Sequence, residues 1–307
     1  MKYAIKVTVA LLLVAAISAP AMAGFEEGLA AYKKDDYATA LKEFRPLAEK
    51  GNAQAQYMLG RMHYFGRGMP QDEVKGAEWI HKAATQGHME AQTMLGFLYD
   101  SGNGVPRNAA KSVEWFQKAA AQGQVIAQYQ LAFKYKHGDG VPRDASKAVE
   151  WYQKAAAQGD TDAQYALGLM YSSGDGIPRN DVKAMEWFQK AAAQGNAKVQ
   201  VMLGALYERG DGVPKDDVKA VAWYRKAAAQ GNEPAQLSLG RMYAAGTGVP
   251  QDYVRAHMWF DTRAQSDNSV DAVNGRDSVA KKMTPQQIAQ AQKLARECKQ
   301  REFKGCD

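Results

Sequence analysis

All six tryptophans of this chain lie 36 residues apart, so the sequence is an array of one repeated structural unit. The tryptophans are Trp79, Trp115, Trp151, Trp187, Trp223 and Trp259. A proline series from Pro70 to Pro250 and a glycine series from Gly51 to Gly231 keep the same spacing. A short unit of this kind cannot bury both of its faces alone, so the period predicts that neighbouring copies stack.

Each copy predicts two helices joined by a loop rich in glycine and proline. In the copy from Gly159 to Gln194, the first helix has an apolar stripe at Ala163, Leu167 and Tyr171. The second helix has its own stripe, formed by Ala184, Trp187, Phe188, Ala191 and Ala192. Gly174 is placed to end the first helix in a left-handed conformation. No β pattern competes with this reading.

Two further repeated positions support the hairpin. An Asp or Asn precedes every second helix, where its side chain can accept from the first-turn N–H groups. These residues are Asp72, Asn108, Asp144, Asn180, Asp216 and Asp252. A small residue recurs inside every first helix, as Gly60, Gly96, Ala132, Gly168, Gly204 and Gly240. Because mid-helix glycine costs about 1 kcal/mol against alanine, we expect a neighbouring helix to approach closely there.

The repeated motifs resemble those of the Sel1-like repeat family, which is related to the tetratricopeptide repeat. They are Leu59-Gly60, an aromatic residue three positions later (Tyr99 in the second copy), G-x-G-[VIM]-P, and K-A-x-x-W-[FY]-x-K-A-A-A-Q-G. The resemblance covers residues 51–266 in six copies. It implies an all-α, right-handed α-solenoid of helix-turn-helix repeats with period 36, in which the first helices line the concave side. It also implies a protein-binding adaptor without naming a partner.

The flanking segments have separate predicted roles. Residues 1–23 are typical of a secretory signal peptide, with Lys2 and Lys6 before an apolar run and small residues before Gly24. Residues 24–50 resemble a tetratricopeptide-style capping hairpin. Residues 267–307 are interpreted as a linker and a C-terminal capping helix, with a loop over Ser266–Arg276 and a helix opened by Thr284-Pro285.

The two cysteines, Cys298 and Cys306, are a possible disulfide. A continuous helix would hold them ~12 Å apart, which is too far for a bridge. A bridge therefore requires the helix to end before Cys306, as Gly305 permits. Free thiols are the alternative.

Nothing in the sequence predicts catalysis, a cofactor or a metal site. The net charge of +6 is spread over the repeats without a run of Lys or Arg, which disfavours nucleic-acid binding. Ser278 and Lys281 match S-x-x-K, a motif of β-lactam-active enzymes, but the companion motifs S-D-N and K-T-G are missing. The histidines have no metal-ligand spacing, and His63 replaces a packing aromatic.

The candidate partner-binding groove comes from first-helix positions that vary between copies. It comprises Tyr57, Arg61, Tyr64, Phe97, Asp100, Tyr129, Phe133, Lys136 and Tyr165. Aromatic side chains interrupted by charges suit an extended peptide or a partner's helix. Neutral variation of a solvated surface is the competing interpretation.

The sequence thus predicts a non-enzymatic protein-binding scaffold, exported and most simply periplasmic, that does not insert stably into a membrane after signal cleavage. A secreted host- or surface-directed binding protein is the alternative, and a β-lactam hydrolase a more distant one. The regular spacing also predicts that Trp151, inside the array, stabilises the fold more than Trp259, near its end.

Overall fold

The computed structural model describes residues 23–267 and 269–306, with the backbone alone at 266 and 267. These residues form sixteen α-helices and no strand, so the all-α solenoid class is confirmed. The first helix, α1, spans residues 23–33. The others are α2 (Tyr37–Glu49), α3 (Ala53–Phe65), α4 (Glu73–Thr85), α5 (Met89–Ser101), α6 (Ala109–Ala121), α7 (Val125–His137), α8 (Ala145–Ala157), α9 (Thr161–Ser173), α10 (Asp181–Ala193), α11 (Ala197–Arg209), α12 (Asp217–Ala228), α13 (Glu233–Ala245), α14 (Tyr253–Asp267), α15 (Val270–Ala280) and α16 (Pro285–Gln300).

The chain divides into two compact units, the N-terminal unit up to residue 155 and the C-terminal unit from residue 156. In the N-terminal unit, the α1–α2 hairpin packs on α3, with Phe44 buried beside Met58 and Met62. Most of the predicted signal peptide lies in residues 1–22, which are outside the described residues of this unit.

The predicted caps of the second helices are confirmed. Each of the six Asp or Asn side chains accepts from the backbone N–H three residues later, at 2.9–3.0 Å. The first helices are capped in the same way by Asn52, His88, Gln124, Asp160, Asn196 and Asn232, which the sequence analysis did not identify. Histidine and glutamine are weaker cap formers than asparagine, so their role here was visible only in the structure.

The small mid-helix residues do permit a close approach. A Cβ added at Gly96 would lie 2.7 Å from the Phe116 ring, and one at Gly168 would lie 2.3 Å from the Phe188 ring. Real Cβ atoms essentially never make contacts this short, so the aromatic residue of the second helix occupies the space that the glycine leaves. The predicted close approach is confirmed. The residue that packs against the glycine is the one at the Phe/Tyr position of the second helix.

The tryptophans are not equivalent, and their burial runs opposite to the predicted order of their contributions to stability. Trp259 is 1% exposed and belongs to the core of the C-terminal unit, whereas Trp151 is half-buried. The ammonium of Lys154 lies 3.8 Å from the Trp151 ring centroid, and Trp187 and Lys190 repeat this contact at 4.2 Å. Apart from the buried Trp115, the regular tryptophans are thus half-buried and contact lysine side chains as cation–π partners.

A buried glutamine at another repeated position forms hydrogen bonds that link neighbouring hairpins. Gln200, for example, donates from Nε2 to the Ala192 carbonyl at 2.9 Å and accepts from Gln230 Nε2 at 2.9 Å. Gln92 makes the corresponding bonds to Ala84 and Gln122. A buried amide is stable only when its hydrogen bonds are made, so this pair fixes the register of successive hairpins.

The C-terminal end differs from the prediction. The segment expected to be a loop over Ser266–Arg276 contains the start of α15, because Ala272 and Val279 are buried and Gly275 meets the Phe260 ring of α14. Thr284 and Gln287 then form a capping box at the start of α16. That helix ends at Gln300, and Cys298 and Cys306 are joined by a disulfide with their Cα atoms 5.2 Å apart.

Candidate functional site

The first helices of the N-terminal unit line an open cavity of about 570 Å³. Its lining comes from α3, α5 and the start of α7, which are successive first helices. The lining residues are Tyr57, Arg61, Tyr64, Phe65, Glu90, Thr93, Met94, Phe97, Leu98, Ser101, Gln124 and Ile126. The cavity is therefore mainly apolar, with one basic and one acidic side chain at its edge. Cavities of this kind are the usual sites for a partner's side chain or a small ligand.

The structure brings together four of the nine predicted groove residues. Tyr57, Arg61, Tyr64 and Phe97 line the cavity, whereas Asp100, Tyr129, Phe133 and Lys136 lie outside its lining. Tyr165 belongs to the C-terminal unit, where its ring packs against Phe188 at 6.0 Å. Fewer than half of the predicted groove residues therefore share this cavity, and the groove itself stays a prediction.

Two of the predicted aromatic residues expose much of their rings. Phe97 is 38% exposed and Phe133 is 40% exposed, at equivalent positions of α5 and α7. The Phe97 ring contacts Phe116 edge-on at 5.0 Å, and the Phe133 ring lies 4.2 Å from that of His137. Each ring is therefore held from one side and open to solvent on the other.

Two exposed apolar residues at the cavity were missed by the sequence analysis. Phe65 and Ile126 are each 50% exposed. Their positions carry polar or small residues in the other copies, for example Ser101 and His137 in place of Phe65, and Glu90 and Asp162 in place of Ile126. An apolar residue at a position that is otherwise solvated was the signal that could have identified them.

Asp100 is already paired within the chain. It forms an ion pair with Lys134, whose ammonium is also paired with Asp139. Lys134 is almost fully buried at a position occupied by Met62, Leu98 and Met170 in other copies. Because a buried ammonium needs carboxylate partners, we assign Asp100 mainly to this ion triad.

Tyr57 lines the cavity and packs against His88, the cap residue of α5. Their rings lie 4.8 Å apart, and His88 Nδ1 accepts from the Ala91 N–H at 3.2 Å. Burial lowers the pKa of the His88 imidazole, while the nearby Glu90 carboxylate opposes that shift. Burial also raises the pKa of the Tyr57 hydroxyl. Because Nδ1 can accept a hydrogen bond only when it carries no proton, the lowered pKa of His88 favours its role as a cap.

Comparison with known protein families accounts for most of the chain. The Sel1 repeat model matches residues 53–88, 90–124, 125–160, 161–196, 197–232 and 233–262. The chain belongs to the Sel1 repeat family. Sel1 repeat proteins generally act as scaffolds for protein interactions and are typically not enzymes. A comparison with curated proteins gave no match.

A solved structure of a Sel1 repeat protein agrees with this assignment. The crystal structure of a Sel1 repeat protein from Oxalobacter formigenes is similar, with 37% identity, a TM-score of 0.68, and coverage of 82% of this chain and 75% of that one. A protective antigen with this repeat fold, c5321 from uropathogenic Escherichia coli, is 31% identical, with a TM-score of 0.41 and coverage of 95% and 79% of the two chains.

The Sel1 repeat chain places the S-x-x-K residues in an unsuitable setting. Ser278 lies exposed in the last turn of α15, and Lys281 follows the end of that helix. The motif needs its serine at a helix start with the lysine one turn later.

Over the described ranges, no three His, Cys, Asp or Glu side chains are grouped as metal ligands. None of the helices in those ranges is long and apolar enough to cross a membrane.

Proposed function

We propose that this Sel1 repeat protein is an exported scaffold that binds a partner protein on its first-helix face. The first-helix face comprises the exposed side chains of α3, α5 and α7 in the N-terminal unit. The cavity bordered by exposed Phe65, Phe97 and Ile126 is the observation that carries the proposal. Large apolar side chains clustered in the open are uncommon on proteins that bind nothing.

The chemistry of this face suits a peptide segment or a partner's helix. Aromatic rings provide large contact area and lose little conformational entropy on binding. Phe97 and Phe133 repeat one position on adjacent first helices, so a partner can contact both along a line. Arg61 and Glu90 at the edge can fix its register through charge.

Export is supported by two independent features. The basic residues, apolar run and small residues of positions 1–23 are typical of a signal peptide. The disulfide between Cys298 and Cys306 suits an oxidising compartment. We place the protein in the periplasm, with secretion as the alternative. Fractionation of the producing cell separates these two, because a secreted binder accumulates in the medium.

The binding face is tested by changing Phe97 and Phe133 to alanine together. A partner is first captured from periplasmic extract and identified, and its affinity is then measured by calorimetry. Removing both rings should weaken binding by about 10-fold or more, equivalent to ~1.4 kcal/mol. The far-ultraviolet circular dichroism should stay unchanged, since both residues are partly exposed and neither belongs to the buried core.

Leu169→Ala is the matched control. Leu169 occupies the same repeat position in the C-terminal unit and is 36% exposed. Its replacement should leave affinity unchanged. If the double variant binds as tightly as the parent, or if Leu169→Ala weakens binding equally, the first-helix face of the N-terminal unit is not the binding site.

A further inference from the structure

Two arginines next to the cavity lie against the same tyrosine. The guanidinium carbon of Arg61 lies 5.8 Å from the Tyr32 ring centroid, and that of Arg67 lies 5.3 Å from it. Arg61 also lies 5.6 Å from the Tyr57 ring, and Arg67 lies 5.9 Å from the Phe65 ring. Aromatic rings from the capping hairpin and the first repeat therefore surround both positive charges.

Neither arginine forms an ion pair with a carboxylate of the described residues. Arg67 donates from Nη1 to the Tyr32 hydroxyl at 2.8 Å. By contrast, Arg241, which occupies the repeat position of Arg61 in the sixth copy, pairs with Asp271 at 3.1 Å. The position of Arg67 carries Asn103, Asp139, Asp175, Asp211 and Thr247 in the other copies. This pair of cations is thus a local departure from the repeat.

Both guanidinium groups keep N–H donors for an anion. Each carries five N–H donors in a plane, and the hydrogen bond of Arg67 to the Tyr32 hydroxyl uses only Nη1. A carboxylate can accept two parallel hydrogen bonds from one such group. The rings also restrict both side chains before binding, which lowers the entropy lost on association.

The surroundings favour a peptide carboxylate over a polyanion. Arg61 and Phe65 line the apolar cavity, so the cationic and apolar surfaces adjoin. Glu90 lies on the same lining and repels a ligand that carries many negative charges, such as a nucleic acid or an anionic membrane. A single acidic side chain beside a large apolar one complements both surfaces.

We propose that Arg61 and Arg67 bind the carboxylate of an Asp or Glu in the partner, a few residues from a large apolar side chain that enters the cavity. This inference rests on the proposed function of the first-helix face, and it specifies the chemistry of the partner segment.

Random peptides displayed on phage provide the probe, selected on the purified mature protein. We expect selected peptides to combine an acidic residue with a nearby Phe, Leu or Trp. For one such synthetic peptide, measured by fluorescence anisotropy, exchanging its Glu for Gln should weaken binding about 10-fold. Arg61→Gln and Arg67→Gln should each produce a comparable loss, and the peptide exchange should have little further effect in those variants because the same interaction is already lost.

Arg241→Gln is the matched control and should bind the peptide as the parent does, because Arg241 already has an acidic partner. The peptide exchange leaves the protein unchanged, so a folding defect in an arginine variant cannot imitate its effect. Circular dichroism checks the variants themselves.

Several results overturn the inference. Equal binding of the Glu and Gln peptides, selection of basic peptides, or no selected peptide at all contradicts an acidic partner. Stronger binding to vesicles of anionic phospholipid than to any peptide assigns the arginines to a membrane. If peptides bind without an acidic residue but lose affinity in the Phe97→Ala and Phe133→Ala variant, this inference fails while the proposed binding face stands. If affinity is unaffected by that variant, the proposed face itself fails.

Discussion

The two units carry different side chains at the same repeat position. In the N-terminal unit, this position exposes Phe97 at an open cavity and Phe133 outside the cavity lining. In the C-terminal unit, the same position carries Leu169, then half-buried Ala205, then Arg241 paired with Asp271. At this position, the second and third copies therefore offer a partner more apolar area than the last two copies.

The second helices also differ between the units, because the C-terminal unit holds the more deeply buried tryptophan. Trp151 in the N-terminal unit is half-buried under Lys154, whereas Trp259 in the C-terminal unit is enclosed by the core that α14 and the following helices form. A regular repeat fixes the packing positions, since each must fit both neighbours, and leaves the exposed positions free. Regularity therefore indicates stability, and departures from it indicate either an end of the array or a binding surface.

The largest expected effect concerns the tryptophans. Trp259→Ala should lower the free energy of unfolding by about 3–5 kcal/mol, as truncation of a buried aromatic does. Trp151→Ala should cost about half as much, because part of that ring already faces solvent. Urea denaturation followed by circular dichroism measures both. Equal losses, or a larger loss at Trp151, would contradict the contrast in burial.

Removing the disulfide should have an intermediate effect, confined to the stability of the C-terminal unit. Replacing Cys298 and Cys306 together by serine opens a short loop and should destabilise the C-terminal unit by about 2–3 kcal/mol. Hydrogen exchange monitored by mass spectrometry should show faster exchange in α14–α16 and no change in α3–α7. Reduction of the parent protein should reproduce this pattern. Faster exchange in both units alike would mean that the bridge does not act locally.

The smallest effect is a pH dependence in the N-terminal unit. Burial lowers the pKa of His88 in the folded state below its value of about 6.5 in the unfolded chain. The unfolded state then binds the proton more readily, so this contribution to stability is complete above that pH and declines as the pH falls below it.

His88→Asn isolates the effect, because Asn52, Asn196 and Asn232 serve as caps at the same repeat position without titrating. Between about pH 7.5 and pH 5, the parent should lose more unfolding free energy than the variant, because protonation removes the cap acceptor at His88 Nδ1. The urea midpoint at each pH provides the measurement. Parallel losses in both proteins would assign the acid sensitivity to other groups, such as His63 or His257.

The elements of the fold were largely predictable because their signals are local or periodic. The cap before each second helix needs only an Asp or Asn at one position, and Asp72 and Asn108 act as predicted. Gly168 predicted the close approach of a neighbouring helix, because glycine inside a helix is otherwise unfavourable. α15 was missed because its stabilisation comes from contact of Ala272, Gly275 and Val279 with other helices, while its own sequence is polar.

The candidate site was predictable only in part, because exposure depends on what lies across from a side chain. Position 61 and its equivalents were recognised as variable, and Phe97 does face solvent. The sequence alone could not show that Asp100 is paired with a buried Lys134, since the two residues come from different hairpins.

The sequence by itself determined the repeat, its period, the two helices of each copy and the caps of the second helices, because these depend on residues close together in the chain. Only the tertiary structure decided which tryptophan is enclosed, which charges are paired, and that Arg61 and Arg67 share the ring of Tyr32. Those outcomes depend on distances between side chains from different helices, and a spacing along the chain does not contain them.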